Sequence, residues 1–394
     1  MKRVVNYTQE KIAFLIPVFV FAGFFKSSSF DFGRWYLDLT FWLLSFILIV
    51  RISKCNYKKI PIRVYNPVIF VILPIAFMIL VSILFGDLTS NAYVKIRKFS
   101  IILIPTVIVS FWVVKSEADW RYIGNGILAL GLYASFYIYF NSIYANRGSI
   151  SYIFSGTLTA LGGLVSAHRF LTELRIKWFY FFAFCICSLG VFVSYARGQQ
   201  IIYVLVLILI FADYLFSLRI KMLNKVVVIL CLLVLSGLIF AGYSIKVGWG
   251  ENVLWRFKPQ YLGEAANLRI VLLEEAFELF KKNPIIPAGI GKYVVEDGTY
   301  TFTYPHNMPL EFAAELGLMG LIFYCSIIIG TLFGYSRFRQ KKNVKEHLIL
   351  YFFIFLCSLK QGCIYQDKAF WVWTALGISL LGWRRTQQQI YVGG

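Results

Sequence analysis

Histidine and acidic side chains are scarce in this sequence of 394 residues, which has 3 histidines and 19 aspartates and glutamates against 39 lysines and arginines. Charged residues make up only 15% of the chain, whereas 59% of the residues are hydrophobic and 19% are aromatic. This composition excludes a soluble globular domain as the main body of the protein. The net charge of +20 comes from short basic runs between apolar segments, so we predict no nucleic-acid partner.

Several signatures of common chemistries are also missing. The sequence has no Walker A loop, no His-Glu-x-x-His, no Cys-x-x-Cys pair and no Asp-x-Asp of the kind that holds a metal and a nucleotide sugar. The seven cysteines are an odd number, and most of them fall inside apolar segments. We therefore expect no disulfide framework, no metal and no cofactor.

Long apolar runs follow one another along the chain. A bilayer core roughly 30 Å thick requires about 20 apolar residues per helical crossing. The sequence thus predicts an all-α fold, a polytopic membrane helical bundle of about twelve transmembrane helices in contact with membrane lipids. The predicted spans are 11–25, 35–51, 67–86, 99–114, 122–140, 152–167, 178–196, 200–217, 225–245, 311–335, 347–364 and 369–383.

The basic residues predict how these helices are oriented. Most of the 39 lysines and arginines fall in alternate connections when the N-terminus is placed inside. Both termini are then cytoplasmic, and the one long connection lies outside the cytoplasm. This divides the chain into helices one to nine at 1–245, a partly helical loop at 246–307, and helices ten to twelve with a cytoplasmic tail at 308–394.

Within the long loop, the sequence predicts a helix followed by a strip rich in turns. Asn267 is a suitable N-cap for a helix that begins at Leu268 and is stopped at Pro284. Gly289 and Gly291 in the strip permit a tight bend or the close approach of a ligand.

His306 is the one histidine predicted on the outer side, where it directly precedes helix ten. An imidazole with an ordinary pKa near 6.5 can accept a proton from a sugar hydroxyl at neutral pH. The alternative is an interfacial histidine that only anchors the helix.

Two arginines are candidates for binding an anion. Arg197 lies in the short outer turn between helices seven and eight, next to Gly198, and Arg269 lies in the predicted first turn of the loop helix. Guanidinium groups bind phosphate bidentately, and a helix N-terminus adds partial positive charge, so together they form a plausible diphosphate site. The alternative for each arginine is a helix-end side chain that reaches the headgroup layer.

Glu311 and Glu315 share one face at the start of helix ten. Carboxylates that enter a bilayer normally need partners, so one of them could orient His306 or pair with an arginine. The alternative is that both remain in the wet interface.

These residues resemble a known family. His306 and Asn307, nine residues, Gly317, two residues and Gly320 match the motif shared by O-antigen ligases and bacterial O-oligosaccharyltransferases. Arg197 with Gly198 is similar to the family's Arg-Gly segment, although Ile201 stands where Leu is often found. Arg269, followed by Pro287, Gly289 and Gly291, resembles the family's second arginine and its Pro-x-Gly-x-Gly strip.

The resemblance implies a glycosyltransferase in the inner membrane of a Gram-negative bacterium, with its active site facing the periplasm. The donor would be O-antigen linked to undecaprenyl diphosphate, and the acceptor a sugar hydroxyl of lipid A-core. His306 would be the base, Arg197 and Arg269 would hold the diphosphate, and no metal would be needed. Asn307, Glu311, Glu315, Gly289 and Gly291 would support the site, and direct attack would invert the anomeric centre.

Three other functions stay open. An O-antigen polymerase uses a similar donor and fold. Some polymerases carry an arginine, ten further residues and then a glycine in their outer loops, but neither Arg197 nor Arg269 has a glycine at that distance. O-oligosaccharyltransferases that act on proteins share the histidine motif but usually have an additional C-terminal region. A flippase of lipid-linked oligosaccharides would show internal repeats and broken midplane helices, and we find no repeat.

Overall fold

The computed structural model of the chain describes residues 13–21, 76, 79–80, 83–84, 89–100, 107, 110, 114, 117–144, 152–173, 175–194, 196–217, 259–296, 298, 300–365 and 367–392. Within these ranges nearly all of the backbone is helical, and one short hairpin interrupts the helices. The helices are α1 Leu15–Val20, α2 Ser90–Lys98, α3 Glu117–Tyr144, α4 Tyr152–Thr172, α5 Lys177–Val193, α6 Arg197–Ser217, α7 Pro259–Lys282, α8 Met308–Arg337, α9 Lys342–Gln361 and α10 Lys368–Val392.

Three helical stretches in the described part of the chain are long and apolar enough to cross a membrane, namely Glu117–Phe140, Arg197–Tyr214 and Met308–Arg337. They agree with the predicted spans 122–140, 200–217 and 311–335. The apolar helices Lys177–Val193 and Lys368–Leu381 are shorter. A helical membrane protein fits these observations, whereas the count of twelve crossings stays a prediction.

Some of the predicted spans cannot be compared with the structure. The spans 35–51 and 225–245 lie outside the described residues, and 67–86 and 99–114 lie largely outside them. The orientation of the helices and the division at residues 245 and 307 likewise stay predictions.

The described residues belong to two compact units. Unit 1 contains those within Met1–Ala13, Tyr36–Trp120 and Ala266–Gly394, and unit 2 contains those within Phe14–Trp35 and Arg121–Ala265.

In unit 2, small residues let the helices approach closely. A Cβ atom added at Gly131 of α3 would lie 2.7 Å from the Cα of Gly162 in α4. In addition, the hydroxyls of Ser188 in α5 and Tyr203 in α6 share a hydrogen bond of 2.8 Å. Such contacts bring backbones together without a large apolar side chain, as is common between membrane helices.

In unit 1, α8 packs against α9 and α10. The Tyr335 hydroxyl of α8 donates to the Trp373 carbonyl of α10 at 3.0 Å, and Thr331 and Tyr335 are fully buried. The hairpin precedes α8 and pairs β1 Val295–Glu296 with β2 Thr301–Phe302, in antiparallel register. The chain therefore enters α8 directly from this hairpin.

Candidate active site around His306

Asn307 fixes the start of α8. Its Oδ1 accepts a hydrogen bond from the Leu310 amide at 3.0 Å, as an N-cap side chain does. Its Nδ2 donates to the Leu359 carbonyl at 2.8 Å, which ties this helix start to the end of α9. The Asn of the predicted motif therefore has a structural task, since it caps α8 and ties it to α9.

His306 stands immediately before this cap in a conformation that non-glycine residues rarely adopt. Its φ is +56°, in the left-handed region, and such a residue costs about 1–2 kcal/mol unless its surroundings hold it. The half-buried imidazole packs against Tyr304 with ring centroids 4.4 Å apart, and against Phe302 at 6.3 Å. The side chain is thus held in one place yet keeps an accessible edge.

The other two histidines are buried. His168 is 3% exposed, and His347 is fully buried with its Nε2 atom 2.7 Å from the Trp120 carbonyl. Of the three histidines, His306 is therefore the one whose side chain is only half-buried.

The electrostatic surroundings of His306 suit a base. Burial lowers the pKa of the imidazole below its ordinary 6.5, and the positive charge of Arg269 lowers it further. The imidazole is consequently neutral at pH 7 and free to accept a proton. Because the charge of Arg269 acts on His306, the structure brings two of the predicted site residues into electrostatic reach of each other.

Arg269 reaches this position because α7 packs on the hairpin and on α8. Leu272 and Ala276 of α7 form a buried cluster with Tyr293 and Ala314, and the Tyr293 hydroxyl donates to the Leu272 carbonyl at 2.8 Å. Arg269 itself is exposed. The face of α7 that carries Leu272 and Ala276 is thereby buried, while the guanidinium of Arg269 remains exposed.

One expectation about α7 is wrong. The helix begins at Pro259, not after Asn267, so Asn267 is no N-cap and Arg269 lies inside the helix. Its backbone groups there are not those of a helix N-terminus, and the partial positive charge proposed to assist Arg269 in holding a diphosphate is absent from this position. An anion at Arg269 is therefore not held by the N-terminal amides of α7.

Glu311 and Glu315 have a shared partner that the sequence did not suggest. The Lys95 ammonium of α2 lies 3.0 Å from Glu311 Oε1 and 2.6 Å from Glu315 Oε1, and the three side chains are at most 3% exposed. Burial disfavours the ammonium, but the charges of Glu315 and Glu311 outweigh it and raise the pKa of Lys95 above its ordinary 10.5. Neither carboxylate lies in the wet interface, so that alternative is wrong.

The strip rich in turns bonds to the backbone of α8 where that helix is broken. Gly317 has φ +62° and ψ −157°, outside the helical region. Across the break, the Leu318 amide donates to the Pro284 carbonyl at 2.8 Å, and the Gly289 amide donates to the Glu315 carbonyl at 2.9 Å. Gly289 and Gly317 therefore serve a backbone junction.

Gly291 permits a second close approach. Its φ is +83°, and a Cβ atom added there would collide with the backbone of Ala92 in α2. The two glycines of the predicted Pro-x-Gly-x-Gly pattern thus hold the strip against α8, at Gly289, and against α2, at Gly291. This is a structural reason for glycines that the sequence analysis attributed to bending or to ligand approach.

Arg197 lies in unit 2 as the first residue of α6. Its side chain is half-buried. The preceding turn is fixed by Gln200, whose Nε2 donates to the Phe192 carbonyl at 2.9 Å. His306 and Arg269 belong to unit 1, and a clamp formed by both arginines stays a prediction.

Comparison with known proteins supports the resemblance drawn from the motifs. Residues 182–325 match the family model described as O-antigen ligase, a segment that contains Arg197, Arg269, His306, Gly317 and Gly320. No curated protein and no solved structure matches the chain significantly. The matched segment 182–325 supports membership of the O-antigen ligase family.

Proposed function

We propose that the chain is an O-antigen ligase that transfers O-antigen polysaccharide from undecaprenyl diphosphate to a sugar hydroxyl of lipid A-core. The observation that carries the proposal is His306, a half-buried imidazole kept neutral by burial and by Arg269 at the head of the matched motif. In this proposal the protein spans the inner membrane several times, with both termini in the cytoplasm and the site facing the periplasm.

The reaction requires a base and a stabilised leaving group. His306 accepts the proton of the acceptor hydroxyl while its oxygen attacks the anomeric carbon of the donor sugar. The bond from that carbon to the diphosphate oxygen breaks, and undecaprenyl diphosphate leaves with the electron pair. Direct displacement inverts the anomeric centre.

The two arginines would act on the leaving group. Guanidinium groups of Arg197 and Arg269 would stabilise the negative charge that develops on the diphosphate, which lowers the barrier more than it tightens binding of the donor. Since these side chains supply the positive charge, we expect transfer to continue in the presence of a chelator of divalent cations.

The test is transfer by the purified protein with a lipid-linked donor and lipid A-core. His306→Ala should lower the rate by about 10² to 10⁴-fold, the usual contribution of a positioned base, with unchanged membrane insertion. Near-normal transfer by this variant would return His306 to the role of a helix anchor.

An O-antigen polymerase is the second candidate, because the matched family is shared with enzymes that use the same type of donor. Deletion of the gene separates the two functions. Loss of a ligase leaves unligated lipid-linked polymer, whereas loss of a polymerase leaves core that carries a single repeat.

A further inference from the structure

The end of α9 and the turn that follows it contact the segment around His306 at three points. The Leu359 carbonyl accepts from Asn307 Nδ2 at 2.8 Å, and the Ile364 amide donates to Glu311 Oε2 at 2.9 Å. The Tyr365 hydroxyl lies 3.3 Å from Thr303 Oγ1. These contacts lie on both sides of His306 in the sequence, so residues 359–365 hold the backbone that carries the imidazole.

Tyr365 is the member of this turn that connects to the imidazole through side chains. Its ring meets that of Tyr304 edge to face, with centroids 6.3 Å apart and planes at 89°. Tyr304 in turn packs on His306 at 4.4 Å. Tyr365 therefore supports Thr303 through its hydroxyl and Tyr304 through its ring, and both residues lie within three positions of His306.

Tyr365 is itself fixed from the side of α2. It is 5% exposed, and the ammonium groups of Lys95 and Lys98 both lie 5.1 Å from its ring centroid, within the range of cation–π attraction. Lys95 also holds Glu311. One lysine thus stabilises the Tyr365 ring and the first turns of α8 together.

The left-handed backbone of His306 makes such support necessary. A non-glycine residue with φ +56° relaxes unless neighbouring contacts hold it. In the described part of the chain, the Asn307 cap, the rings of Tyr304 and Phe302 and the contacts of residues 359–365 support it. Residues 359–365 and Lys95 lie outside the matched segment 182–325.

We propose that Tyr365 is a positioning residue for the transfer reaction, which it serves by holding Thr303 and Tyr304 so that the His306 imidazole points at the acceptor hydroxyl. This rests on the proposed function. In this proposal the C-terminal part of the chain, which carries none of the family motifs, contributes a residue that positions the active site. Tyr365 touches neither substrate in this proposal and acts only through its two neighbours.

The first test separates the hydroxyl from the ring. Tyr365→Phe keeps the contacts of the ring and removes the hydrogen bond to Thr303, and Thr303→Val removes it from the other side. Each variant should lower kcat by about 2- to 10-fold, as one hydrogen bond can, with the KM for the lipid-linked donor unchanged. The double variant should be no worse than the poorer single one, since both remove the same bond. Tyr365→Leu should lower kcat further.

A matched control is Tyr335→Phe, at the opposite end of α8. It also removes one tyrosine hydrogen bond, that to the Trp373 carbonyl at 3.0 Å, but far along the helix from His306. Its kcat per folded protein should equal that of the wild type. If Tyr335→Phe and Tyr365→Phe lower kcat equally, Tyr365 has only a structural role and the proposal is overturned.

The second test does not depend on transfer. Diethyl pyrocarbonate acylates neutral imidazole, and its rate at His306 can be followed by mass spectrometry at about pH 8, where the imidazole is neutral in every variant. Tyr365→Leu should speed the labelling of His306, because the Tyr304 ring loses its support. Unchanged labelling overturns the proposal, and so does faster labelling with unchanged kcat. If His306→Ala stays active, the proposed base fails separately, whatever the labelling shows.

Discussion

The buried ion cluster of unit 1 offers a sharp test of how the region around His306 is held together. The Lys95 ammonium pairs with two carboxylates at 2.6 and 3.0 Å, and all three side chains are nearly inaccessible. Replacing lysine by methionine keeps an unbranched apolar stem of similar length and removes the charge. Glu311 and Glu315 would then face each other without a cation inside the protein.

The expected loss is large. Removing one partner of a buried ion pair lowers the free energy of unfolding by roughly 3–5 kcal/mol, a large share of the 5–15 kcal/mol typical of a whole domain. We therefore expect Lys95→Met to unfold at a much lower denaturant concentration. Adding Glu311→Gln and Glu315→Gln should recover most of this loss, because a glutamine at 311 can still accept from the Ile364 amide.

The assay is equilibrium unfolding of the purified protein in mixed micelles, followed by helical circular dichroism and by labelling of the buried Cys363, 4% exposed in the folded protein. Lys281→Met is the matched control. Its pair with Glu278 is as short, at 2.7 Å, but both side chains are 53% exposed, so the midpoint should not move. If Lys95→Met unfolds at the wild-type midpoint, or if the triple variant is no better than Lys95→Met, the cluster does not stabilise this region as reasoned.

Three further predictions concern the site and the break in α8. The kcat should rise with pH through a pKa below 6.5, because the base must be neutral and because burial and Arg269 lower the pKa of His306. Arg269→Gln should move this rise to higher pH, and an unchanged pH profile would show that Arg269 does not act on the base. Arg197→Lys and Arg269→Lys keep the charge but lose the planar fork, so each should impair transfer, and full activity in both would leave the arginines as headgroup anchors. Gly317→Ala forces a Cβ atom to within 2.9 Å of the Pro284 carbonyl at φ +62° and should lower the free energy of unfolding by about 1–3 kcal/mol, so an unchanged unfolding midpoint would contradict the need for glycine.

Local apolar patterns predicted the long apolar helices of the described part of the chain. The apolar runs 200–217 and 311–335 correspond to α6 at Arg197–Ser217 and α8 at Met308–Arg337, because length and hydropathy alone determine where such a helix can lie. The start of α7 was misplaced because Asn267, a favourable N-cap residue, stands in the middle of the helix. Its capping propensity is overridden there by packing of the same helix on Tyr293 and the hairpin.

The sequence alone did not reveal which distant side chains pair with each other. Lys95 lies in a short basic run that reads as a topology signal, and nothing near it indicates Glu311, more than two hundred residues away. The break at Gly317 had a signal, since the motif glycines at 317 and 320 interrupt an apolar run, but the same run reads equally well as one helix. Tyr365 carries no motif, and only the folded contacts connect it to His306.

The broken helix also has a consequence for the order in which the chain is assembled. The Leu318 amide and the Glu315 carbonyl, on either side of the break at Gly317, bond to Pro284 and Gly289. The ribosome synthesises Pro284 and Gly289 before it reaches α8. In a lipid environment an unpaired amide or carbonyl is costly, so this helix should become stable at its final depth only after the earlier strip has folded back to receive it. Consider a ribosome-bound chain that ends beyond Arg337 and carries substitutions at Pro284 and Gly289. Its α8 should insert poorly into the membrane, although every residue of that helix is unchanged.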